Sequence, residues 1–309
     1  MTDPGSTPSH LRTIVAATDL SETAKVGIRW ATEIAHDHGS RLHLIHSISL
    51  SGLAMDYVSV QADLHEKLRQ AAEEKLAELA DEARARIEEV DWAVEIGEPS
   101  GVITRTASNL CADLVVVGTR GLRGLDHLLL GSTAERVVQR ANCPVLTVHP
   151  QDADLERPVR RILVATDLSD ESRRAAEWSL SLLAEVREES EVFLLHSYHV
   201  PYEFGVEGAY GSAAAGLQLW KDVDIDVRTR LEKFAEPLRR NGVEVNILAI
   251  EGYPPEVIVD QAELLKVDLV AMGTHGRTGL SHVLLGSTAE RVVQKAACPV
   301  LTMRREPPC

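Results

Sequence analysis

A duplication limits the folding options of this 309-residue chain more than any other feature. The run Gly-Ser-Thr-Ala-Glu-Arg-Val-Val-Gln occurs at 131–139 and again at 286–294, each time followed by Cys-Pro-Val-Leu-Thr. Near the start of each half, Ala17-Thr18-Asp19-Leu20-Ser21 is matched by Ala165-Thr166-Asp167-Leu168-Ser169. A period of about 150 residues is too long for a solenoid unit and is the size of a whole globular domain, so the pattern predicts a tandem pair. A hydrophobic content of 44% supplies enough apolar surface for two cores.

Within each half, short β-rich runs alternate with amphipathic stretches, the pattern of a parallel sheet flanked by helices. Strands are expected at Thr13–Ala17, Arg41–Ile48, Trp92–Ile96, Leu114–Gly118 and Pro144–Val148, then at Arg161–Ala165, Glu191–Tyr198, Glu244–Ile250, Leu269–Gly273 and Pro299–Met303. A first helix begins after Ser21 or Ser169, either of which can cap free amides, and the earlier one stops at Gly39. Leu64, Leu68, Ala72, Leu76, Leu79, Ala83 and Ile87 recur at helical steps and predict the buried stripe of a second helix. A third helix follows Pro99 or Pro255, and a fourth starts at Gly131-Ser132 or Gly286-Ser287. Gln151–Pro158 reads as a linker, giving domains at 1–150 and 158–309. The fold class is α/β, with two tandem doubly wound five-stranded parallel sheets in the order 3-2-1-4-5.

A net charge of −15 disfavours general binding to nucleic acid or to anionic membranes, both of which call for basic surface. No apolar run approaches membrane-spanning length, and Met1–Pro8 lacks a basic and apolar signal, so a soluble cytoplasmic protein is expected. Cys111, Cys143, Cys298 and Cys309 show no metal-ligand spacing, and the histidines form no His-x-x-x-His pair, so no metal held by protein side chains is expected.

The chemistry is carried by glycines at strand ends. Gly118-Thr119-Arg120-Gly121, nine residues, then Gly131-Ser132 is repeated as Gly273-Thr274-His275-Gly276, nine residues, then Gly286-Ser287. Each signature follows a buried-strand pattern and opens a helix, the order used by phosphate cradles. Glycine lets the chain turn sharply and lets an anion approach backbone amides without a Cβ in the way. Arg120, Arg123, His275 and Arg277 make these loops locally cationic within an acidic chain. In a 3-2-1-4-5 sheet, ligands bind beyond the carboxyl ends of strands 1 and 4. Asp19 and Asp167 fall there, where a carboxylate can accept hydrogen bonds from ribose hydroxyls or an adenine amino group. Adenosine near strand 1 and phosphates near strand 4 is the consistent pose. Glycines serving only tight turns and close packing are the plainer alternative for a single copy.

These residues resemble the universal stress protein family, in its tandem-domain, ATP-binding branch, whose mark is Gly-x-x-Gly, nine residues, Gly-Ser/Thr. The resemblance covers nearly the whole chain. It implies that Thr18, Asp19, Thr166 and Asp167 hold the nucleoside and that Ser47 and Ser197 meet adenine through backbone groups. Val117, Gly118, Arg120, Gly121, Gly131, Ser132, Thr133 and Ala134 would line the ribose and phosphates in the first half. Met272, Gly273, His275, Gly276, Gly286, Ser287, Thr288 and Ala289 would do so in the second. It also implies Mg²⁺ carried by phosphates and water.

The expected function is nucleotide-dependent regulation of stress adaptation with at most slow ATP hydrolysis, because no Walker A Lys-Ser/Thr follows the last glycine. A slow ATPase or phosphotransferase, and a nucleotide-free scaffold with vestigial sites, are the alternatives. An exposed fifth strand in each domain invites pairing of the two edges into an intramolecular pseudo-dimer, with a further homodimer open. The second half is longer chiefly at Tyr202–Gly216, which reads either as a surface insertion or as a lid over the second site.

Overall fold

The computed structural model describes residues 11–49, 58–119, 130–152, 159–183, 190–199, 213–239, 243–274 and 285–304. The first half runs β1 (Thr13–Thr18), α1 (Ala24–His38), β2 (Arg41–Ile48), α2 (Val58–Arg84), β3 (Val90–Ile96), α3 (Pro99–Asn109), β4 (Leu114–Gly118), α4 (Ser132–Arg140) and β5 (Val145–Val148). The second repeats it as β6 (Arg161–Ala165), α5 (Asp170–Ser179), β7 (Glu191–Tyr198), α6 (Ala213–Arg239), β8 (Glu244–Glu251), α7 (Pro254–Leu264), β9 (Leu269–Gly273), α8 (Ser287–Lys295) and β10 (Val300–Met303). A short 3-10 turn, Leu180–Leu182, extends α5.

The central strands are apolar on both faces because both faces are covered, as parallel sheets require. Alternate side chains of one strand enter different layers: Ile14 and Ala16 join Leu114 and Val116 against α1 and α2. Val15 joins Val115 and Val117 against α3 and α4. Helix ends follow local chemistry. Gly39 closes α1 at φ 60°, donating its N–H to the Ala35 and His36 carbonyls. Glu98 caps α3 by accepting from the Gly101 amide, with Pro99 in the first turn. Along α2, Leu76, Leu79, Ala80 and Ala83 are buried, whereas Leu68 of the expected apolar stripe is 41% exposed. Ala213–Gly216, expected within the connection, form the first turn of α6. The rest of that connection, 202–212, lies outside the described residues.

The strands form one ten-stranded sheet, β3-β2-β1-β4-β5-β10-β9-β6-β7-β8. Each half has the order 3-2-1-4-5, all parallel within the half. The two halves meet where β5 and β10 pair antiparallel. Leu146 faces Leu301, its own counterpart in the duplication, and Thr147 and Val145 face Val300 and Thr302. This self-complementary register centres a pseudo-twofold axis on the leucine pair. Hydroxyls reinforce it symmetrically: Thr147 donates to the Val300 carbonyl at 3.0 Å and Thr302 to the Val145 carbonyl at 3.3 Å. Each apolar layer runs through the junction without a break, since Leu146, Val148, Leu301 and Met303 lie in one and Val145 and Val300 in the other.

Candidate functional site

The crevice of each half opens where β1 or β6 ends beside β4 or β9. Its first wall is a turn that the side chains build for themselves. Thr18 Oγ1 accepts from the Leu20 amide at 3.0 Å, and Asp19 Oδ1 accepts from the Ser21 amide at 3.0 Å. The second half repeats both, Thr166 to Leu168 at 2.9 Å and Asp167 to Ser169 at 3.0 Å. These overlapping bonds hold Leu20 and Leu168 at φ 65° each, a left-handed conformation that a leucine adopts only when its surroundings insist. His46 and His196 brace the turns from the next strand, each placing Nδ1 within 2.8 Å of the Thr18 or Thr166 carbonyl. Asp19 and Asp167 are thus half-buried carboxylates fixed at the strand end.

The second wall is the start of α4 or α8. Gly131 caps α4 in an extended conformation, and Gly286 does the same for α8. A glycine cap brings no side chain to close the first-turn amides, which therefore keep their capacity for an anion. The Gly131 amide donates to the Thr119 carbonyl at 2.8 Å, and the Gly286 amide to the Thr274 carbonyl at 2.9 Å, so each helix start is tied to the end of the adjacent strand. A Cβ on Gly131 would lie 3.0 Å from the Thr119 oxygen, which explains glycine here by close backbone approach. Thr119 Oγ1 is buried with no hydrogen-bond partner among the described residues.

The structure brings Thr18, Asp19, Val117, Gly118, Gly131, Ser132 and Thr133 to one end of the sheet, and Thr166, Asp167, Met272, Gly273, Gly286, Ser287 and Thr288 likewise. Ser132 and Ser287 are exposed at the helix starts, whereas Ala134 and Ala289 point into the core at 2% exposure. Ser47 and Ser197 spend their hydroxyls just past the ends of β3 and β8, donating to the Gly97 carbonyl at 2.9 Å and the Gly252 carbonyl at 2.7 Å. Arg120, Gly121, His275 and Gly276, with Arg123 and Arg277, lie outside the described residues.

Three elements of these crevices escaped sequence reasoning. Glu98 accepts from Ser100 Oγ at 2.7 Å and pairs with Arg136 at 3.2 Å. Burial pushes its carboxyl up, but the bonds from Ser100, Gly101 and Arg136 outweigh that and hold it below the usual range. In the second half Tyr253 stands in its place, with the Arg291 guanidinium 5.4 Å from the ring centroid. The third is Glu171, which reaches from α5 to Thr274 Oγ1 at 3.0 Å. An acidic residue in a first helical turn ordinarily signals only the helix dipole, so nothing in the sequence marked its direction.

A strand-1 turn bearing a fixed carboxylate and a glycine-capped helix start, both at a topological switch point, define a protein of the doubly wound α/β class. The Universal stress protein family model matches residues 10–149 and again 158–304, and the chain belongs to that family. A universal stress protein of Methanocaldococcus jannaschii is 36% identical over 150 residues, 48% of this chain and 85% of its own. One from Mycolicibacterium smegmatis is 26% identical over 305 residues, 94% of this chain and 96% of its own. Among solved structures, a universal stress protein from Archaeoglobus fulgidus has the same fold at TM-score 0.67 and 23% identity, covering 95% of this chain and 98% of its own. Among the described residues, no helix is long and apolar enough to cross a membrane.

Proposed function

We propose that this chain is a cytoplasmic ATP-binding regulator of stress adaptation, with a nucleotide crevice in each half. The observation that carries the reading is the repetition, at both switch points, of a turn-locked aspartate opposite a helix start capped by glycine. Asp19 and Asp167 would accept from the nucleoside, and the backbone at Ser47 and Ser197 would face adenine. Val117, Gly118, Arg120, Gly121, Gly131, Ser132, Thr133 and Ala134 would surround ribose and phosphates in one crevice. Met272, Gly273, His275, Gly276, Gly286, Ser287, Thr288 and Ala289 would do so in the other.

The residues present suit a polyphosphate. First-turn amides without a side-chain cap and the buried Thr119 hydroxyl, unpartnered among the described residues, offer donors. Mg²⁺ would accompany the phosphates and neutralise part of their charge. Hydrolysis is at most slow, since Ser132 and Ser287 stand where a Walker A lysine would follow the glycine. The halves act as domains 1–150 and 158–309, and their β5–β10 pairing supports reading one chain as a pseudo-dimer that can dimerise again.

Mass spectrometry of the small molecule released from denatured, freshly purified protein tests the reading, with ATP the expected result. Combining Gly131→Val with Gly286→Val is expected to weaken ATP binding by about a hundredfold, because several charge-assisted hydrogen bonds are lost at each crevice. Unchanged affinity in a folded double variant would refute it.

A further inference from the structure

One difference between the two crevices lies where α1 and α5 begin, beside the end of the fourth strand of each half. By the match of Ala17–Ser21 with Ala165–Ser169, Glu171 of the second half corresponds to Thr23 of the first. Thr23 is exposed and bonds only locally, 2.9 Å from the Ser21 hydroxyl. Glu171 is 8% exposed. Ser169 caps α5 by accepting from the Ser172 amide at 3.2 Å, and this orients the first turn so that Glu171 packs on the end of β9. A Cβ on Gly273 would sit 3.1 Å from Glu171 Cγ, so the contact depends on glycine there. Glu171 Oε1 takes the Thr274 hydroxyl at 3.0 Å, and the Thr274 carbonyl in turn takes the Gly286 amide that caps α8 at 2.9 Å. The carboxylate therefore stands one residue from the helix start that the nucleotide reading assigns to phosphate. In the first half the equivalent hydroxyl, on Thr119, is buried and has no partner among the described residues.

We infer that Glu171 makes the second crevice select against polyphosphate: the first site takes the triphosphate, and the second favours an adenine ligand carrying fewer negative charges. The inference rests on the nucleotide reading proposed above. A carboxylate screened from water repels a phosphate much more strongly than an exposed one. It also occupies the threonine hydroxyl that the first site leaves available to an anion. Both effects grow with ligand charge and barely touch a neutral nucleoside, so the signature is a change in the ratio of affinities.

Calorimetric titration of the full chain with MgATP, and separately with adenosine, reads that ratio. Wild type is expected to show two classes of ATP site about tenfold or more apart. Gly131→Val should remove the tighter class and thereby place the weaker one in the second crevice. Glu171→Gln keeps an oxygen for Thr274 and removes the charge; it should tighten the weaker class about tenfold for ATP while moving adenosine by less than about threefold. Should that variant misfold, Glu171→Thr, the first half's residue, makes the same measurement. Two equal ATP sites in wild type, or a variant that shifts ATP and adenosine by the same factor or shifts neither, would overturn the inference and leave the nucleotide reading intact. A folded wild type that binds neither ligand would overturn both.

Discussion

The first and second crevices share a backbone and differ in their walls. Both have the turn in which threonine and aspartate side chains bond the amides two residues on, the histidine brace, the serine tie to the next strand and the glycine-capped helix. Around that frame, Glu98 with Arg136 gives way to Tyr253 with Arg291, and exposed Thr23 gives way to buried Glu171. The lesson is one of division of labour. The frame consists of bonds to backbone groups that few side-chain types can make, whereas the wall positions carry different residues in the two halves and so give the two crevices different chemistry.

Leu146 and Leu301 are fully buried and face each other, so truncating either to alanine is expected to cost about 2–5 kcal/mol in urea unfolding. Because they share one contact, the double variant should cost less than the sum. A large loss in one half and almost none in the other would break the pseudo-twofold description.

A smaller effect separates two equivalent tryptophans. Trp30 Nε1 donates to the Asp152 carbonyl at 2.8 Å, whereas Trp178 Nε1 is buried without a partner among the described residues. Trp30→Phe should therefore cost about 1–2 kcal/mol more than Trp178→Phe, since only the first forsakes a made bond and orphans an acceptor. Equal losses by thermal or urea denaturation would remove this distinction.

The smallest effect is one of pH. His43 occupies the place of Phe193 in the other half; burial pushes its pKa below the ordinary 6.5, and Asp91 only partly opposes this. The unfolded chain then takes up the proton first, so this contribution is complete above the unfolded pKa and fades as pH falls through the folded one. Comparing urea midpoints at about pH 7.5 and about pH 5.5, wild type should lose stability on acidification more than His43→Phe does. The same loss in both would assign the acid sensitivity elsewhere.

Much of this architecture was legible because it is periodic. Every strand expected from β-rich runs is present, with ends shifted by at most two residues, as at Val90–Ile96 against the expected Trp92–Ile96. The departures have tertiary causes. Leu68 fits a helical stripe, yet it is 41% exposed, because whether a stripe position is covered depends on what packs against it and not on its spacing. The left-handed Leu20 and Leu168 carry no glycine to announce them; their conformation is imposed by neighbouring side-chain oxygens. Among candidate site residues, the glycines and aspartates were readable by repetition. Ala134 and Ala289 were readable only as neighbours in sequence, and their side chains face the core.

What the amino-acid order determined by itself is the duplication, the alternation of strand and helix, and the place of each glycine and aspartate at a strand end, because these rest on local periodicity and local turn chemistry. What only the tertiary structure decided is which distant groups meet: Leu146 with its own counterpart across an antiparallel junction, and Glu171 with a threonine 103 residues away. Such meetings depend on strand order, register and helix direction together, quantities to which no single stretch of sequence is sensitive.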